Sequence, residues 1–140
     1  MLMTSCFSRL SLLALMLLGF AGCGGPSGPP QDPRFSVTGT VTLDGQPLPD
    51  GFIAFESAED LAAGRSPASA EIVNGQYQID ATPGTKQVKI FREEKTGEVD
   101  ATGMEITRQT IPARYNTKTE LKAQVADPGP TEINFDLKSK

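Results

Sequence analysis

From Phe35 onward, apolar residues fall on alternate positions. In "FSVTGTVTLDG", Phe35, Val37, Val41 and Leu43 share one face, and Ser36, Thr38, Thr40 and Thr42 share the other. Period-two alternation rich in β-branched residues predicts a half-buried strand. Gly39 lies on the apolar face, where a missing side chain lets a second backbone approach closely. "DGQPLPDG" follows, dense in turn residues, and Asp44-Gly45 and Asp50-Gly51 are the expected bends. "FIAFES" predicts a second strand with Ile53 and Phe55 inward. Residues 58–67, "AEDLAAGRSP", break the alternation and predict a loop with room for one helical turn. "ASAEIVNGQYQID" reads as a hairpin, with Ala70 and Ile72 before an Asn74-Gly75 turn and Tyr77 and Ile79 after it. "KQVKIF" sets Val88 and Ile90 against lysines. "TELKAQV" (Leu121, Ala123, Val125) and "TEINFDL" (Ile133, Phe135, Leu137) close the chain across an "ADPGP" bend. About seven strands and no amphipathic helix predict an all-β, antiparallel β-sandwich over residues 35–140.

Residues 92–113, "REEKTGEVDATGMEITRQTIPA", have no sustained period. An irregular stretch of this length in a compact domain is often functional. Arg92, Glu94, Lys95, Met104, Ile106 and Arg108 are its candidate interaction residues, mixing charge with apolar side chains. The alternative is that "MEITRQTI" folds back as an extra strand covering a sheet edge.

Ahead of the strands, residues 10–20, "LSLLALMLLGF", form an apolar run after a start whose one charge is Arg9. The run is shorter than the roughly 20 residues a membrane span needs, and its length and flanks describe a secretory signal. The exit, Phe20-Ala21-Gly22-Cys23, resembles the lipobox of bacterial lipoproteins, usually Leu-Ala/Ser-Gly/Ala-Cys, with Phe20 departing from the preferred Leu. The resemblance implies diacylglycerol on the Cys23 sulfur and cleavage before it, so that residues 1–22 are a signal peptide. Two or more acyl chains give stable anchoring. "GGPSGPPQDP" then reads as a tether, so residues 23–34 hold the domain away from a membrane. The expected location is the cell envelope, facing the periplasm or the exterior.

The chain carries 13 basic and 17 acidic residues, a net charge of −4, and cleavage would remove one cation, Arg9. An acidic chain without a basic block argues against nucleic acid as a partner. With no His and no Trp, Ser-His-Asp and Cys-His catalysis are excluded and the usual zinc sites are not available. Ser66 and Ser69 lack a Gly-x-Ser-x-Gly elbow. Glu56, Glu59 and Asp60 offer oxygen ligands of the kind calcium takes, but there is no Asp-x-Asp-x-Asp-Gly loop, and a solvated acidic surface is the preferred reading. Glu93, Glu94, Glu98 and Asp100, with Arg92 and Lys95 among them, read as a soluble loop. Tyr115 in "IPARYN" either presents its ring to a ligand or packs at the sandwich edge with its hydroxyl bonded to backbone. The second is preferred, with Arg114 and Asn116 fixing re-entry into the next strand. No catalytic residue, metal site or cofactor is expected.

"VTGTVTLDGQPLPDGFIAF", "NGQYQI" and "PGTKQVKI", in that order, resemble carboxypeptidase-regulatory-like, transthyretin-like domains. With the lipobox before them and "IPARYNTKTEL…INFDL" after, the chain resembles small lipoproteins of planctomycete-type bacteria. The resemblance covers about residues 35–138 and implies a seven-stranded sandwich with Greek-key wiring and no catalysis of its own. Lys86 stands where the Pro-Gly strand usually carries an aromatic, so that end of the core is expected to be open or covered by the lysine stem. The functional expectation is a non-enzymatic, membrane-tethered envelope lipoprotein whose sandwich is a structural or protein-interaction module. The alternative is a lipoprotein that binds carbohydrate or another small ligand. Expected partners are a membrane, through Cys23, and envelope proteins or polysaccharide.

Overall fold

Strand β1 (Phe35–Leu43) is the spine of the domain. Val37 and Val41 are fully buried while Thr38 and Thr40 face solvent. The computed structural model describes residues 32–140, so the signal peptide, Cys23 and nearly all of the tether lie outside the described residues. The strands after β1 are β2 (Gln46–Pro47), β3 (Asp50–Glu56), β4 (Ala68–Val73), β5 (Gln76–Ala81), β6 (Gly84–Phe91), β7 (Glu93–Val99), β8 (Glu105–Gln109), β9 (Lys122–Val125), β10 (Thr131–Glu132) and β11 (Phe135–Leu137). One short helix, α1 (Ala58–Ala62), follows β3.

The main sheet runs β10-β1-β5-β4-β3-β6-β9. Its two ends, β9 and β10, are joined by only five residues, and the Ala126 amide donates to Thr131 Oγ1 at 3.0 Å. The sheet therefore curls until its edges nearly meet, and its inward face encloses the core. Alternation predicted that face correctly: Ile53, Phe55, Ile72, Val88, Ile90 and Leu137 are each 1% exposed or less. Each fully buried large apolar side chain stabilises the fold by about 1.5–3 kcal/mol. At the centre the Tyr77 ring packs edge-on to Phe55, with centroids 6.2 Å apart, and lies 6.3 Å from Phe135. The Tyr77 hydroxyl donates to the Ile133 carbonyl at 2.8 Å, and burial raises its pKa.

Both Asn74-Gly75 (φ 50° and 76°) and Asp44-Gly45 (φ 52° and 82°) have the left-handed pair that two-residue hairpin turns require. Gly39 has the expected close neighbour: a Cβ there would lie 1.7 Å from the Ile133 carbonyl oxygen.

Three expectations change. Asp50-Gly51 is not a bend but the start of β3. The chain turns earlier, around buried Leu48, whose amide donates to Val41 O at 3.0 Å. Among the described residues the strands number eleven, because β2 pairs briefly with the end of β1, residues 92–113 supply β7 and β8, and the last expected strand is divided into β10 and β11. Nor is the sheet wholly antiparallel, since β10 and β11 both run parallel to β1. Between those two strands, Asn134 Oδ1 accepts from the Thr40 amide (2.8 Å) and hydroxyl (2.9 Å), holding the C-terminal chain along β1.

Candidate functional site

Residues 92–113 are neither an irregular loop nor a cover for the main sheet edge. They form a β7–β8 hairpin that, among the described residues, pairs only with itself. Every residue of both strands is exposed. The tip is ordered by Asp100, whose Oδ1 accepts from the Thr102 hydroxyl (2.6 Å), the Thr102 amide (2.8 Å) and the Met104 amide (3.0 Å). These hydrogen bonds hold the Asp100 carboxyl below its usual pKa.

The root is tied to the core. Gln109 Oε1 accepts from the Arg92 amide at 2.9 Å and the Ile111 amide at 3.1 Å, and Thr110 N donates to Arg92 O at 2.9 Å. Ile111 is 3% exposed. Gly51 makes room at this point, since a Cβ on it would come within 2.6 Å of the Phe91 carbonyl oxygen.

All six candidate interaction residues lie on this hairpin or at its root, yet they do not converge on one pocket. Arg92 at the root ion-pairs with Glu94, and its Nε lies 3.3 Å from Asp50 Oδ1. Burial lowers the Arg92 pKa, but the two carboxylates outweigh it and the net shift is upward. Lys95 pairs with Glu105 at 2.6 Å. Glu94 faces Arg108 in register. Met104 is 66% exposed and Ile106 38%, joined by Val99.

Beside the root lies a depression of about 410 Å³ lined by Asp50, Gly51, Phe52, Glu71, Phe91 and Glu93. Of these, the sequence pointed to Glu93 only as part of a soluble loop and to Asp50-Gly51 only as a bend, and to none as a site. The signal was available: if Ile53 and Phe55 point inward, Phe52 points out, and it is 60% exposed.

The acidic group at 56–60 does not act as one set: Glu59 is solvated as expected, but Asp60 is buried. Ser57 caps α1, its hydroxyl accepting from the Asp60 amide at 3.2 Å. This brings Asp60 beneath the sheet end, where it is 7% exposed. There Lys86 Nζ, 3% exposed, lies 2.5 Å from Asp60 Oδ2 and donates to Thr82 Oγ1 at 2.6 Å. Arg65 Nε donates to Asp60 Oδ1 at 2.8 Å. Burial raises the Asp60 pKa, but hydrogen bonds from Lys86, Ser57, Arg65 and Thr82 outweigh it and hold the carboxyl well below its usual range. Thus Lys86 leaves the core end neither open nor covered by its stem alone; a buried ion pair fills it. Glu56 pairs with Lys89 at 2.5 Å and Glu59 is exposed. Among the described residues no group of carboxylates converges as metal ligands would.

"IPARYN" takes the structural alternative. The Tyr115 ring packs against the core, its hydroxyl accepts from the Lys138 amide at 3.1 Å, and Arg114 lies over the ring at 5.0 Å. Buried Asn116 donates to Ile111 O at 3.0 Å. Ser66 and Ser69 are exposed. A second depression, about 680 Å³ and wide open, is lined by polar groups such as Thr38, Thr40, Gln76 and Gln78. Its aromatic, Tyr77, is 5% exposed and presents no ring for a sugar to stack on.

The architecture and this surface define an all-β domain that projects an exposed hairpin. No family model matches the chain, and no curated protein matches it. Among solved structures it is similar to a 9R-lipoxygenase from Cyanothece PCC8801, at 12% identity and a TM-score of 0.40, over 79% of this chain and 18% of that one. It is also similar to a DUF3823 family protein from Parabacteroides merdae, at 12% identity and a TM-score of 0.37, over 77% of this chain and 46% of that one. The chain thus spans under half the length of either, and likenesses at this level go no further than a β-rich trace.

Proposed function

We propose that this protein is a non-enzymatic, lipid-anchored lipoprotein of the cell envelope, whose β domain is an interaction module displaying the β7–β8 hairpin to a protein partner. The observation that carries this reading is the hairpin itself, exposed along both strands but tied firmly at its root. A lone two-stranded hairpin is marginal in water, so a long one rooted in a core and carrying exposed Val99, Met104 and Ile106 suits recognition. Loops and projections on a rigid scaffold vary without disturbing it, which is why recognition is commonly placed there. The domain is read as a variant of the transthyretin-like sandwich. Supporting this, β1 serves two sets of neighbours, β5 and β10 along its first part and β2 and β11 at its end.

The anchor half of the proposal rests on Ala21-Gly22-Cys23 after the apolar run. Mass spectrometry of protein extracted from its native membranes is expected to find mature chains that begin at an acylated Cys23. An unmodified Cys23 within an intact precursor would overturn it.

A further inference from the structure

We propose that the depression at the hairpin root docks an extended segment of the partner protein that carries lysine or arginine side chains; this rests on the interaction reading above and names the chemistry of the partner. Phe52 and Phe91 are register partners on β3 and β6. Both point outward because Ile53 and Ile90, their chain neighbours, are fully buried. They give the depression an aromatic floor, with Phe52 60% exposed. Its rim is acidic. Glu71 sits opposite Phe52 on β4, Glu93 opens β7, and Asp50 opens β3.

No basic side chain lines this depression among the described residues. The nearby cations are already engaged: Lys89 with Glu56, and Arg92 with Asp50 and Glu94. Aromatic faces ringed by carboxylates attract a cation that brings an aliphatic stem, since the stem covers the rings and the charge meets both the ring faces and the acids. A bare divalent ion does not fit, because these carboxylates do not converge as ligands. An extended segment fits better than a folded element. The space is about 410 Å³, bounded on one side by β7, which has room for one or two long side chains. Apolar Val73, 54% exposed on the neighbouring strand, continues the surface beyond the rim.

The test uses the full mature protein in detergent and a fluorescent peptide alternating lysine with valine, read by anisotropy at low salt. An otherwise identical peptide with glutamate for lysine is the control. The lysine peptide is expected to bind and the glutamate peptide not. Phe52→Ala should weaken binding by about tenfold, and Glu71→Gln with Glu93→Gln by about threefold or more. All these side chains lie on the outer surface, so circular dichroism should be unchanged in the variants. Wild-type affinity in both variants, or absence of binding, would overturn the proposal. So would complete displacement of the peptide by an equal concentration of spermidine, which would make this a small-amine site. Replacing residues 95–107 by a Gly-Ser linker leaves Phe52, Glu71, Phe91 and Glu93 in place. Loss of the native partner in that variant, together with a null result for Phe52→Ala, would sink the docking proposal while sparing the interaction reading.

Discussion

Two regions of this molecule are rich in charge, and they behave as opposites. Around Asp60, a carboxylate, a lysine and an arginine meet under the end of the sheet, with Lys86 3% and Asp60 7% exposed. On the β7–β8 hairpin, Lys95–Glu105 makes a comparable pair, but every strand residue is open to water. The difference lies in the alternative each charge has. A hairpin lysine that loses its partner is solvated by water, so exposed pairs contribute little. Lys86 without Asp60 would be a buried cation held only by the neutral hydroxyls of Thr82 and Ser57, which is costly. Charge inside this domain is therefore structural, and charge on its projection is free to serve recognition.

The largest expected effect comes from breaking the buried cluster. Asp60→Ala should destabilise the protein by about 3–5 kcal/mol, read as a drop in the urea midpoint. Replacing both partners, Asp60→Leu with Lys86→Met, should recover most of that loss. If the double variant is no better than the single, the cost arises from packing around α1 and not from the stranded charge. Next, Ile90→Ala in the core should cost about 2–5 kcal/mol. It should lower the midpoint without abolishing the β-type circular dichroism.

Acid should erase the advantage of the cluster. The folded-state pKa of Asp60 is depressed, so its contribution is fully present above the unfolded carboxylate value of about 3.9. It is lost as pH falls from there toward the folded value. Stability curves of wild type and Asp60→Ala should run parallel at neutral pH and converge below about pH 4. Parallel curves down to pH 2 would mean that Asp60 does not carry the effect. The smallest change is expected on the hairpin, where Lys95→Ala should leave the midpoint where it was.

How much of this was legible in the sequence follows from the same contrast. Where one face of a strand meets the core, register is forced: a slip by one residue would turn Val37, Ile53 and Tyr77 out to solvent, and alternation announced them. Asn74-Gly75 and Gly39 were legible because backbone geometry admits few other residues there. The β7–β8 hairpin was half legible: "MEITRQTI" was offered as an extra strand and contains β8, but neither face of the hairpin meets the core, so no apolar period marked β7 or the pairing of the two. The Asp60–Lys86 pair was hidden for another reason. Its members stand 26 positions apart, and each alone resembles an ordinary surface charge. The parallel return of β10 and β11 along β1 is likewise a tertiary choice that local pattern does not encode. At the candidate site, the hairpin residues were singled out from length and composition. Phe52 and Phe91 were passed over as ordinary strand residues, although inward Ile53 already implied an outward Phe52.

The central claim is that the hairpin recognises a partner while the curled sheet carries the fold. The most direct test replaces residues 95–107 with a short Gly-Ser linker in the membrane-borne protein and compares thermal stability and co-purified envelope proteins with the wild type. The account predicts an unchanged melting temperature, because no strand residue of the hairpin is buried, together with loss of a specific partner. A collapse in stability, or retention of every partner, would contradict it.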